Sequence, residues 1–445
     1  MKIRLLKDLL AFVAIGVVAG GVFTAWLAAA PGATDFLPNE RPVALAQYTG
    51  PSPTGAPPEL AGASLVARGE YLALAADCKA CHTVPGDVPF AGGRAFELPF
   101  GTLYTPNITP DKATGIGDWS DADFLRAVHR GIGRDGQRLY PAFPYGSYAL
   151  LTDEDVLAIK AYLLSLAPVQ RETKPNTFSF PFDQRWTMMF WSALFVPDRR
   201  FEPVAQRPAP WNRGAYLVEA AAHCGECHTP RNLMFAMDTR RKFSGGQAEG
   251  WNAYNITSDP QSGIGTWTPA QLAGYLSSPH GSDAGIAAGP MAEAVELSLA
   301  RLAPSDIDAM VSYLRTVPPI RDATLPKPRG PVPDTVATIA DHPIGRRIFE
   351  GSCASCHAWS GAGAVVTQAH LTGLRAVNDP SAANVVKMVL AGSMDEASGR
   401  PLMPAFAGSL SDTEIAEVAN YVTERFGSEP SHLTVRDVEK LRTGG

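Results

Sequence analysis

The sequence predicts a mainly α protein of three tandem units built from short helices, and three observations predict it. The pattern Cys-x-x-Cys-His occurs three times, as Cys78-Lys-Ala-Cys81-His82, Cys224-Gly-Glu-Cys227-His228 and Cys353-Ala-Ser-Cys356-His357, and uses all six cysteines. Two long stretches are near copies: "RGEYLALAADCKACHT" with "RGAYLVEAAAHCGECHT", and "NITPDKATGIGDWSDADFLRAV" with "NITSDPQSGIGTWTPAQLAGYL". Each unit also closes with a Tyr-bearing helix that opens on a capping residue, Thr152 to Tyr162, Ser305 to Tyr313 and Ser411 to Tyr421. At 445 residues the chain is too long for one core, and 41 Gly and 38 Pro favour loop-rich domains over long bundles.

The chain then divides in order. Residues 1–30 are an apolar leader and 31–62 a Pro-rich linker that would tether the three units to it. The units span 63–169, 211–320 and 341–427, separated by an aromatic and Pro-rich bridge, 170–210, and a second linker, 321–340; residues 428–445 form a tail. In the leader, Lys2, Arg4 and Lys7 precede an apolar run from Leu9 to Ala30. That run is long enough for a bilayer core, which takes roughly 20 residues, and longer than a signal-peptide core of about 7 to 15. It reads as a retained transmembrane helix, with a cleaved signal ending near "LAAAPGA" as the alternative. Either way the units are exported, and the charges before the run place them on the periplasmic face of the inner membrane. A formal charge of −6 without a Lys/Arg run excludes a nucleic-acid partner.

A zinc ribbon would pair two cysteine knuckles within about 15 to 20 residues, and a thioredoxin-like motif needs no histidine after its second cysteine. Cys-x-x-Cys-His is the attachment signature of haem c: the thiols form thioethers and the adjacent histidine reaches the iron. The sequence therefore predicts three covalently bound haems, held by Cys78, Cys81, Cys224, Cys227, Cys353 and Cys356, with His82, His228 and His357 as iron ligands. An electron-transfer haem takes a second axial ligand, most often Met. In the third unit Met403 precedes Pro404 and a helix capped at Ser411; in the second, Met291 follows Gly289-Pro290. Met310 lies within a helical pattern and reads as core, while Met234 and Met237 follow the second motif too closely.

The first unit has Phe143 where a Met is expected, and no Met between Met1 and Met188. Three readings stand: an iron with an open position, His129 as ligand, or Met188 folding back from the bridge, with Met189 as its competitor. The bridge itself concentrates Trp186, Phe190, Trp191 and Phe195, for interdomain packing or as a membrane-interface or partner-facing patch. Trp119 and Trp267 end matching Gly-rich loops and cover the haem edge or the core.

From about Ser64 onward, "FGTLYTPNITPD", "LYPAFPY", "HCGECHTPRN", "LTVRDVEKLR" and the three motifs together resemble the tri-haem cytochrome c subunits of membrane-bound dehydrogenases of acetic acid bacteria. The resemblance implies three tandem class I cytochrome c domains that relay electrons from a large catalytic subunit, with a further small subunit in some complexes, to ubiquinone. It also implies Met291 and Met403 as distal ligands. Phe143 departs from the alcohol-dehydrogenase pattern, "PAMPY", and is similar to cytochromes that accompany molybdopterin aldehyde dehydrogenases, so the aldehyde type is favoured over a pyrroloquinoline quinone alcohol dehydrogenase. No catalytic triad, Rossmann fingerprint or flavin motif appears, so substrate oxidation falls to a partner. Two rivals are a haem enzyme that turns over peroxide at an open first haem and a mobile carrier; the anchor, size and acidic charge oppose the carrier.

Overall fold

The computed structural model describes residues 40–278, 281, 284–330, 342–365, 367–395 and 400–443, and the isolated positions 16, 18, 20 and 21. The expected transmembrane run lies outside these residues but for the isolated positions. Among the described residues no helix is long and apolar enough to cross a membrane.

In chain order the first unit contains α1 (Leu65–Ala75), α2 (Cys78–His82), the strands β1 (Ala95–Leu98) and β2 (Gly101–Tyr104), α3 (Asp121–Arg130), α4 (Tyr145–Tyr148) and α5 (Asp153–Ser165). The bridge carries α6 (Met188–Phe195). The second unit repeats the plan with α7 (Ala209–Tyr216), α8 (Gly225–His228), β3 (Gly246–Ala248), β4 (Trp251–Ala253), α9 (Pro269–Ser277), α10 (Pro290–Leu297) and α11 (Pro304–Leu314). The third has α12 (Pro343–Ile348), α13 (Ala354–His357), α14 (Ala383–Ala391), β5 (Ser393–Asp395), β6 (Arg400–Met403) and α15 (Asp412–Phe426), and the tail adds α16 (Val435–Arg442). Each unit has one antiparallel hairpin, β1 with β2, β3 with β4 and β5 with β6.

The helix starts follow their capping chemistry. Ser120 with Asp123, Thr268 with Gln271 and Ser411 with Glu414 form reciprocal capping boxes, and Thr152 accepts from the Asp155 amide. The expected cap at Ser305 is not one. α11 opens at Pro304 after an uncapped Ala303, and the Ser305 hydroxyl donates to Glu59 instead. Proline at the first helical position has no amide to satisfy, so the start needs no side-chain acceptor.

In every unit the first helix crosses the last at a glycine. A Cβ on Gly69 would stand 1.8 Å from the Ala158 carbonyl oxygen, on Gly214 1.9 Å from that of Ala309, and on Gly345 2.1 Å from that of Glu417. This backbone-to-backbone approach sets the unit's shape, and the side chains around it fill the core. Leu72, Leu163, Leu217 and Leu314 are fully buried there, each stabilising by about 1.5 to 3 kcal/mol.

The first two units share one core, whereas the third has its own around Phe349, Tyr421 and Phe426. The joint between the first two is reciprocal. The Tyr71 hydroxyl donates to Asp306 at 2.6 Å and accepts from the Ala303 amide, while its counterpart Tyr216 donates to Asp155 at 2.6 Å and accepts from the Thr152 amide. Part of the segment read as a tether lies on this joint: Arg213 grips Asp306 through two nitrogens and donates to the Pro53 and Gly55 carbonyls, and the Gly55 amide donates to Asp155.

Candidate haem-binding cavity

Each Cys-x-x-Cys-His motif is a single helical turn, α2, α8 or α13. Residues at i, i+3 and i+4 share one face of a helix, so the two sulfurs and the imidazole point the same way. The backbone ahead of the turn is irregular. Asp77 and His223, at matching positions, hold left-handed backbone (φ 51° and 39°), and a π-helical turn leads into the second and third motifs. Such an inserted residue re-aims the helix beyond it.

One continuous cavity of about 1800 Å³ reaches all three motifs. His82, His228 and His357 line it, and each ring is fixed by the same device: Nδ1 donates to a backbone carbonyl, that of Pro106 at 2.8 Å, Tyr254 at 2.6 Å and Ala369 at 2.6 Å. Burial holds all three imidazoles below the ordinary histidine value, so the rings stay neutral. A neutral ring with its proton committed at Nδ1 presents the Nε2 lone pair, as an iron ligand requires.

The repeated Asn-Ile-Thr explains how two of those carbonyls are held. Asn107 Oδ1 accepts from the amide and hydroxyl of Thr109 while its Nδ2 donates to the Val169 carbonyl. Asn255 does the same with Thr257 and Ile320. These loops lock the residue before Asn, which is the one that orients the histidine. The third unit lacks the motif and uses Ala369 from a different loop.

None of the cysteines is in a disulfide. Burial pushes the thiols of Cys78, Cys81 and Cys224 up to about 12 and those of Cys227 and Cys353 to about 11. Among the described residues no three His, Cys, Asp or Glu side chains converge as a metal set, and the burial that raises the thiols keeps the free sulfurs neutral. Neutral sulfurs beside an oriented imidazole in an apolar cavity are the donor set of a covalently attached haem.

Met291 and Met403 both line the cavity, Met291 at the start of α10 and Met403 at the end of β6. Met388 on α14, which the sequence reading did not single out, lines it too. Met310 is fully buried, although it also touches the cavity wall. Phe143, Trp119 and Trp267 are wall residues. Met188 is not among them: it begins α6, half-buried, with Met189 exposed. His129 is also absent from the wall. It is 3% exposed, with Nδ1 3.7 Å from Asp153, and burial pushes it down to about 4.

The bridge packs between the first two units, the first of the two readings expected of it. Trp191 donates to the Met234 carbonyl and packs on Tyr145, joining the first unit to the second, while Trp186, Phe190 and Phe180 remain exposed. The three orienting carbonyls escaped the sequence reading, because nothing local distinguishes an accepting backbone oxygen.

The cytochrome c family model matches residues 66–167, and that of cytochrome c oxidase, cbb3-type, subunit III matches residues 340–422. The gluconate 2-dehydrogenase cytochrome c subunit of Pantoea cypripedii is 37% identical over 400 residues, covering 85% of this chain and 90% of that one. The chain belongs to the cytochrome c subunits of dehydrogenases. A second such subunit, the fructose dehydrogenase cytochrome subunit of Gluconobacter japonicus, is 38% identical over 418 residues, 88% of this chain and 86% of its own. A nicotinate dehydrogenase subunit of Pseudomonas putida is 41% identical over 372 residues, 82% of this chain, and the chain spans only 31% of that protein. As a cytochrome c subunit, the chain has haem c as its cofactor and electron transfer within a dehydrogenase complex as its role.

Proposed function

We propose that this cytochrome c subunit carries three haems c and serves a membrane-bound periplasmic dehydrogenase, taking electrons from a large catalytic subunit and delivering them to ubiquinone. The observation that carries this reading is the single cavity onto which three attachment motifs open, each with a histidine oriented by a carbonyl. Haem c supplies one-electron exchange. The chain's residues supply the rest. Six thioether-forming cysteines prevent loss of the group outside the cell, and the Nδ1 bonds stop the rings from turning. Met291 and Met403 offer thioether sulfur as second ligands to the second and third haems, which raises potential. The apolar wall keeps water away from the site, so little solvent must reorganise when charge changes.

The favoured catalytic partner is a molybdopterin aldehyde dehydrogenase, on the strength of Phe143. The much longer nicotinate dehydrogenase subunit supports direct contact with a dehydrogenase, since there the matched stretch sits inside a far larger chain. The N-terminal apolar run supports a place at the inner membrane. The test is to purify the tagged full chain from its own membranes and identify the large subunit that accompanies it. A molybdopterin subunit is expected; a pyrroloquinoline quinone subunit would move the complex to the alcohol type, and no dehydrogenase partner would overturn the reading.

A further inference from the structure

The first unit differs from its sister at one position that bears on coordination. Aligning the repeats sets Phe143, between Ala142 and Pro144, against Met291, and both side chains line the cavity. The two donors that could have replaced the lost sulfur do not: Met188 and His129 both lie outside the cavity wall. Among the described wall residues, the imidazole and the amine nearest this unit are already engaged. His223 faces the backbone carbonyls of Ala76 and of itself, and the Lys174 ammonium lies 5.5 Å from the centre of the Tyr104 ring.

Phe143 packs against aromatic rings whose hydroxyls are committed elsewhere. Its ring meets those of Tyr148 and Tyr145 edge-on, at 5.6 and 6.3 Å. Both phenols point elsewhere, Tyr148 donating to the Ala76 carbonyl at 2.5 Å and Tyr145 to that of Leu139 at 3.3 Å. A phenyl ring cannot ligate iron, and the phenols packed on it, turned to backbone carbonyls, leave no hydroxyl to offset the desolvation of an anion or to stabilise a polarised ligand beside it.

We propose that the first haem has His82 as its one protein ligand, and that its remaining position, beside Phe143, is a binding site for small neutral diatomic ligands of the carbon monoxide or nitric oxide class. The proposal rests on the reading of the first motif as a haem anchor. Binding is coordination alone, with no bond broken and no electron transferred. It gives one member of the cytochrome c subunit's haem set a sensitivity that the methionine-bearing second and third units lack.

The test adds carbon monoxide to the reduced full-chain holoprotein, as wild type, F143M and M188A, after haem content has been measured. Three haems per chain with a carbon monoxide shift on one of them is the expected result, lost in F143M and unchanged in M188A. Three haems and no shift in the wild type overturns the proposal while leaving the anchor reading standing. A shift that grows in M188A also overturns it, since Met188 would then be the ligand. Two haems, with the first motif empty, overturns both.

Discussion

Between the first and second units the contacts are buried and reciprocal, Tyr71 reaching Asp306 and Tyr216 reaching Asp155 across a common core. The third unit meets the second through partly buried polar groups: Asn252 and Tyr254 both donate to Asp379, and Asn252 exchanges backbone bonds with the Asn384 amide side chain. The first joint has the form of an isologous dimer, in which residue i of one copy meets j of the other and j meets i. A duplicated unit can make that joint with its twin, because each half carries both members of the pair. The third unit, shorter and lacking the Asn-Ile-Thr loop, does not carry them and attaches as an ordinary neighbouring domain would.

Four measurements test how separate the two regions are. The largest effect is expected at the helix crossings. Gly345→Ala should cost the third unit roughly 3 kcal/mol or more by forcing Cβ into the Glu417 carbonyl, and Gly214→Ala should do the same to the pair. In calorimetry each change should lower one transition and leave the other in place; a shared shift would mean one cooperative unit. Next, Tyr216→Phe and Tyr71→Phe should each destabilise the pair alone by about 1 to 3 kcal/mol in urea unfolding. The Tyr216 change should cost more, because Asp306 keeps its two-nitrogen grip from Arg213 while Asp155 keeps the single Gly55 amide.

Alkaline pH should widen the contrast. Burial first, and then the facing carboxylates, push the phenols of Tyr216 and Tyr313 well above the ordinary tyrosine value, and Tyr71 is raised by the same causes. A folded value raised above the unfolded one means that the stability is complete below about pH 10 and drains away as pH rises beyond it, by about 1.4 kcal/mol per pH unit for each phenol. The third unit has one tyrosine, Tyr421, so its unfolding midpoint should move less between pH 9 and pH 11 than that of the pair. The smallest effect is at the polar seam. Asp379→Ala should weaken the seam by about 1 kcal/mol, read as faster amide exchange at Asn252, and move the thermal transitions less than any change above.

Much of the site was legible because it is local. The attachment turn lies within five consecutive residues, and capping signals at Ser120, Thr152, Thr268 and Ser411 sit within three residues of the groups they satisfy. Ser305 misled because the proline before it already met the helix's need. The carbonyls that orient the histidines lie 24, 26 and 12 residues away, and a backbone oxygen carries no residue-type signal. Phe143 stood out by comparison with Met291, but its meaning depended on whether Met188 came back to the cavity, which no stretch of sequence states.

The sequence by itself determined the cofactor chemistry, the repeat and the helix starts, since these depend on residues close enough along the chain to interact in one turn or loop. Tertiary structure decided that two units share a core and the third does not, that the segment from residue 40 packs on their joint, and that Met188 and His129 stay off the cavity wall. Those outcomes depend on contacts such as Tyr71 to Asp306, 235 residues apart, whose formation is set by how whole helices pack and not by any local pattern.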